Sequence, residues 1–149
     1  MLRGNLPLAG LARLKDSLAD ALGAVEFEVR GGEDTRRRPV LTVSIHGTLR
    51  LQCQRCLEAL DHPLRVLNTL VLVTGSAVPA SELDDEDGEW IEASRELDLA
   101  ALIEDEILLS LPYAPRHEEG TCRPLRTAAT DSATAAAFAG LAALKRNNH

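Results

Sequence analysis

Aromatic side chains are nearly missing from this 149-residue chain, with one Trp, one Tyr and two Phe, 3% in all. A core must therefore be assembled from Leu, Val, Ile and Ala. Cysteine is also scarce, and its count of three is odd. That argues against a closed disulfide framework and for a reducing compartment. No apolar run approaches the roughly 18 to 20 residues of a membrane-spanning helix. A short apolar stretch follows Arg3, but Arg13, Lys15, Asp16 and Asp20 interrupt it too soon for a secretory signal. Phosphate-binding loops, dinucleotide fingerprints and Gly-x-Ser-x-Gly elbows are all lacking. These absences lead us to expect a soluble cytoplasmic protein with no membrane association, no small-molecule substrate and no enzymatic activity.

With 45% hydrophobic residues, the length suits one domain spanning 1–149 and not two. Net charge is −7, unevenly spread. Twelve acidic side chains against a single Arg95 occupy residues 82–106, leaving 15 Lys and Arg against 11 Asp and Glu elsewhere. Such an acidic balance disfavours general nucleic-acid coating, which draws on accumulated positive charge. It leaves room for a local basic face. Arg36, Arg37 and Arg38 form the one tight basic run, to be read as a solvated loop or as a partner-binding patch.

The densest signal lies between Gly47 and Pro63. From Leu41 to Leu51 every odd position is apolar or glycine, and the even ones are Thr42, Ser44, His46, Thr48 and Arg50. That period of two predicts a half-buried strand. Cys53 and Cys56 follow at once, and a second apolar run starts after Pro63. The pattern predicts a long antiparallel hairpin, strands 40–52 and 62–74, with the Cys-x-x-Cys at its turn.

Around it we expect an amphipathic helix over 9–23, a short strand over 25–30, an acidic flexible loop over 75–88 and a brief return to the sheet at Glu89–Ile91. A second helix should run over 99–110, with Asp98 as N-cap, Leu99, Leu102, Ile103 and Ile107 inward, and Glu104 and Asp105 facing water. Leu111-Pro112 ends it. Residues 112–132 read as irregular, and 133–146 as a C-terminal helix. The expected fold class is α+β: a single domain with an antiparallel sheet built on the long hairpin, packing helices and the acidic loop.

Two further chemistry-bearing residues, His117 and Cys122, lie in the irregular stretch. A structural zinc takes four N or S ligands, typically as two close pairs. Cys53 with Cys56 and His117 with Cys122 would supply them. On the alternative reading, the cysteines are small residues at a strand end, Cys122 is a stray thiol and His117 a surface imidazole. His46 and His62 are spare donors, and His149 belongs to the terminus. A redox role for the Cys-x-x-Cys is a weaker fit. That chemistry wants the first cysteine at a helix N-terminus within a βαβ unit, and here the motif joins two strands. The adjacent acids Glu104, Asp105 and Glu106 diverge around a helix axis and read as a solvated face. Arg55, between the cysteines, is either an exposed loop arginine or a tip residue aimed at phosphate or carboxylate.

The ordered set also resembles a known family. Leu51-Gln-Cys-Gln-Arg-Cys-Leu57, then Asp98-Leu99 through Glu104-Asp-Glu-Ile-Leu-Leu-Ser-Leu-Pro112, then Pro115, His117, Cys122 and the tail Phe138-Ala-Gly-Leu-Ala-Ala-Leu-Lys145 are similar to the bacterial YceD family, the large ribosomal RNA subunit accumulation proteins. The likeness covers about residues 40–146. One departure is Ala136-Ala137, where the family often has Asn-Pro before the tail phenylalanine. The resemblance implies a factor supporting synthesis, processing or stability of 23S rRNA in ribosome biogenesis. Its expected partner is a pre-large-subunit particle, through rRNA or a ribosomal protein. Two other readings stay open: a protein-binding adaptor that never touches RNA, and a thiol-redox protein.

Overall fold

The alternation that begins at Leu41 becomes the central strand of a five-stranded sheet in the computed structural model, which describes residues 1–74 and 89–122. Strand β1 is Leu2–Pro7, β2 Ala24–Glu33, β3 Pro39–Gln52, β4 Ala59–Val73 and β5 Glu89–Glu92. They lie in that order across the sheet. β3 buries Val43, Ile45, Leu49 and Leu51 on one face and turns His46, Thr48 and Arg50 outward. β3 and β4 pair antiparallel from Val40↔Val71 to Gln52↔Ala59. The second strand thus starts three residues earlier than the sequence suggested. β1 and β2 extend the antiparallel meander, whereas β5 runs parallel to β4 along Leu70–Val73.

The expected α+β class is therefore corrected. The sheet is mixed, and a single α-helix, α1 (Leu99–Ser110), together with two 3-10 turns, makes up the helical content of the described residues. The helix expected over 9–23 does not form; Leu8–Gly10 and Leu14–Ser17 are 3-10 turns instead. Chain closure gives the reason. Pro7 and Ala24 are cross-strand partners, and Leu8 N–H donates to the Gly23 carbonyl at 3.1 Å. A 15-residue α-helix would carry its end about 22 Å from its start. Tight turns keep the ends together while still burying Leu8, Leu11 and Leu14 completely or nearly so. Sequence reading gave β1 no strand, because only Gly4 and Leu6 of its six residues are even half-buried. Gly4 leaves room for the Phe27 ring, whose Cζ would sit 2.9 Å from an added Cβ.

α1 matches its expected bounds, and the Asp98 carboxylate accepts from Ala101 N–H at 3.0 Å. Ile103 and Ile107 are fully buried and Leu102 nearly so, joining Leu49, Leu51 and Leu64 in one core. Of the acidic face expected in water, however, only Asp105 is there. Glu104 is buried and accepts from Arg13 N–H at 2.7 Å, Leu14 N–H at 3.0 Å and Arg13 Nε at 3.0 Å. Burial pushes its carboxyl up, but these donors outweigh it and hold the group below the usual carboxylate range. Glu106 is buried too, accepting from Asn68 Nδ2 at 3.0 Å. Asp105 alone of the three stays outside, paired with Arg13 at 2.5 Å. The acidic loop 75–88, the C-terminal helix 133–146 and residues 123–132 of the irregular stretch lie outside the described residues.

Candidate metal centre

The end of β3 leads straight into a tight knuckle. Cys53 N–H donates to Glu58 O and Leu57 N–H to Cys53 O, both at 2.9 Å, which folds Cys53 and Cys56 onto one side. The turn closes only because Leu57 adopts φ 60°. A left-handed backbone at a bulky residue costs on the order of 1–2 kcal/mol, and glycine would avoid that cost. After α1 the chain returns to this knuckle as an irregular strap. Gln54 N–H donates to Pro115 O at 2.9 Å, and a turn over Glu118–Thr121, with Gly120 at φ 87°, brings Cys122 round to Cys53.

The four sequence-predicted donors meet there. Cys53, Cys56, His117 and Cys122 have ligand atoms all within 4.8 Å of one another. Cys53 Sγ lies 3.6 Å from Cys122 Sγ, and His117 Nδ1 lies 3.4 Å from Cys56 Sγ and 3.7 Å from Cys122 Sγ. A tetrahedral zinc with bonds of about 2.3 Å to sulfur and about 2.0 Å to nitrogen spaces its ligands about 3.5–3.8 Å apart. The observed separations have that scale, and all three cysteines are free thiols. The tautomer fits as well. His117 Nε2 sits 3.2 Å from the Ala59 carbonyl, which only accepts, so Nε2 carries a hydrogen and Nδ1 is the ring atom turned to the shared centre as a ligand. The quartet is able to hold a metal ion.

Electrostatics favour a thiolate at Cys53 and oppose one at Cys56, where the main-chain bond from Glu58 pulls the thiol down but burial and the Cys53 and Cys122 sulfurs push it up further. Burial pushes the Cys53 thiol up, but main-chain hydrogen bonds from Cys56, Arg55 and His117 dominate and bring it to about 5. His117 is raised by its bonds to Cys122 and Cys53, as expected of an imidazole among thiolates. Arg55 is exposed, yet its guanidinium leans on Cys122, whose hydrogen bond and charge raise its pKa. It thus acts as a positive cap over a sulfur-rich centre.

The three remaining candidates sit elsewhere. Arg36, Arg37 and Arg38 form the β2–β3 turn, at the other end of a 14-residue strand from the knuckle, of order 40 Å away. Asp34 gathers this turn, accepting from Arg36 N–H and Arg38 N–H at 2.8 Å and from Arg38 Nε at 2.6 Å. The Arg38 guanidinium also stacks over Trp90 at 5.0 Å. The basic run and Arg55 therefore cannot share one small binding patch. The sequence points to the tip from Cys53 to Leu57 as a partner contact, and Leu57 is exposed there; it gives no sign of the cleft beside the knuckle or of the exposed Tyr113, an isolated apolar residue with no periodic signal.

A family profile described as "Large ribosomal RNA subunit accumulation protein YceD" matches residues 41–145. The chain belongs to the YceD family. The match contains all four donors, β3 from Leu41 onward, β4, β5 and α1, and leaves β1, the two 3-10 turns and β2 outside it. No solved structure shows a significant match to this one. The YceD description places the chain among proteins connected with large-subunit rRNA, in line with the expected role in ribosome biogenesis. No helix among the described residues is long and apolar enough to cross a membrane.

Proposed function

We propose that this YceD-family protein is a non-enzymatic factor that supports synthesis, processing or stability of 23S rRNA during large-subunit assembly, and that its Cys53–Cys56–His117–Cys122 quartet holds a structural zinc. The observation that carries the zinc assignment is the convergence of three sulfurs and one correctly protonated imidazole from chain segments some 60 residues apart. Four protein ligands fill a tetrahedral shell, which fits a structural ion, because a catalytic zinc keeps a position open for water. The ion would tie the strap after α1 to the tip of the β3–β4 hairpin and fix the surface that the factor presents to its partner. Family membership supports the ribosomal role.

The decisive experiment compares a deletion strain with its complemented parent. Mature 23S rRNA should fall relative to 16S, and the tagged protein should co-sediment with large-subunit precursors more than with finished ribosomes. An unchanged ratio together with absence from precursor fractions would sink the ribosomal role. Elemental analysis of the purified chain should find about one zinc per molecule, and a metal-free, fully folded strap would sink the zinc.

A further inference from the structure

Beside the knuckle lies a cleft of about 390 Å³, walled by Leu108, Leu111, Pro112, Tyr113, Gln54 and Asp16. Apolar residues are the majority of those lining it, polar atoms contribute slightly more of the exposed surface, and Asp16 is the single charged residue in it. Tyr113 of the wall, Leu109 next to Leu108, and Leu57 three residues after Gln54 are large apolar groups left in water. Tyr113 is fully exposed at 104%, Leu109 is 74% exposed and Leu57 is 55% exposed. Leu57 is the telling one. It occupies a left-handed position that glycine would fill without strain, and there it leaves more than half of itself exposed. A strained residue kept exposed points to use by a partner rather than to packing.

Building on the ribosomal reading above, we propose that this cleft and its rim dock a basic polypeptide segment of the large-subunit precursor, with an apolar side chain entering the cleft and an adjacent Lys or Arg meeting Asp16. Charge decides for protein against RNA. No Arg or Lys lines the cleft, so a phosphate would find no partner there and would face Asp16. The whole chain, at −7, complements a basic protein. The centre's role in this arrangement is positional. Gln54 and Pro115, joined by their main-chain hydrogen bond, hold opposite walls of the cleft in register with the Cys-His quartet.

The test uses the zinc-loaded full chain carrying a fluorescent label. Individually purified large-subunit ribosomal proteins, freed of rRNA, are titrated against it, with protein-free 23S rRNA titrated in parallel. At least one basic ribosomal protein should bind one to one. Tyr113→Ala, Leu57→Gly and Asp16→Lys should each weaken that binding tenfold or more. Leu57→Gly should melt no lower than the parent, because it relieves the positive φ, so a loss of binding is not a loss of fold. Binding to 23S rRNA alone, self-association alone, or affinity unchanged by all three variants would overturn the proposal. In the deletion strain, the two levels separate. If the parent gene restores the 23S-to-16S ratio and the three variants restore it fully too, docking fails and the ribosomal reading stands. If the ratio never depended on the gene, the ribosomal reading fails and docking fails with it.

Discussion

Two segments pack against the end of the sheet in different ways. α1 lies on it through Leu102, Ile103 and Ile107, with Glu104 pinned under three donors from Arg13 and Leu14. The strap that follows, Pro112 to Cys122, has neither helix nor strand, and its described side chains are half-buried or exposed. One segment is held by apolar burial and a buried carboxylate, the other by four ligand atoms and a main-chain bond to Gln54. An apolar interface survives in any buffer. A ligand cluster holds only while its ligands are deprotonated and, on our reading, metal-bound.

The sharpest way to break the comparison is to remove the ion. Chelation, or Cys56→Ser, should abolish hydrogen-exchange protection in residues 113–122 and open the strap to proteases, while α1 and the β1–β4 meander keep their protection. Equal loss in both segments would show that the strap and helix form one cooperative unit. The converse experiment is Ile103→Ala. Truncating a fully buried isoleucine should cost about 2–5 kcal/mol in denaturant unfolding and leave zinc stoichiometry unchanged.

Next in size is Glu104→Gln, which keeps the shape but gives up the charge under Arg13 and Leu14. A loss of about 1–3 kcal/mol at neutral pH is expected. The folded-state pKa of Glu104 is depressed, so its contribution is fully present above the unfolded carboxylate value and is lost as pH falls through the lowered one. The variant should therefore flatten the acid limb of the stability curve, and parallel limbs for parent and variant would refute this. The smallest effect belongs to Arg55→Ala. Uncapping Cys122 should lower zinc affinity by about tenfold, the mild end for an outer-shell partner, as read by competition with a chromophoric chelator.

The elements legible in the sequence were those whose local pattern and tertiary surroundings agree. β3 alternates because one face is buried. α1 begins at Asp98 because a carboxylate there caps Ala101, and the four donors were readable because ligand chemistry admits few residue types. What escaped reading was set by neighbours in space. The apolar spacing at Leu11, Leu14 and Leu18 is helical in isolation, but the pairing of Pro7 with Ala24 forbids a helix of that length. Glu104 looked solvated because its donors sit some 90 residues away. Parallel pairing of β5 with β4 is likewise invisible in Glu89-Trp90-Ile91. Arg36–Arg38 and Arg55 share a charge, but a single strand keeps them at opposite ends of the molecule.

The order of strands across the sheet equals their order along the chain, and this sets a timetable for synthesis. β1 to β4 need only neighbours already made, so the meander can assemble as it leaves the ribosome. Cys53 and Cys56 are then presented on their finished hairpin, but His117 is 61 residues downstream of Cys56. At translation rates of about 5–20 residues per second, that gap lasts roughly 3–12 s. During it the newborn chain carries a two-thiol half-site, open to oxidants or to an incoming metal ion, and the last turn of the strap to emerge closes it.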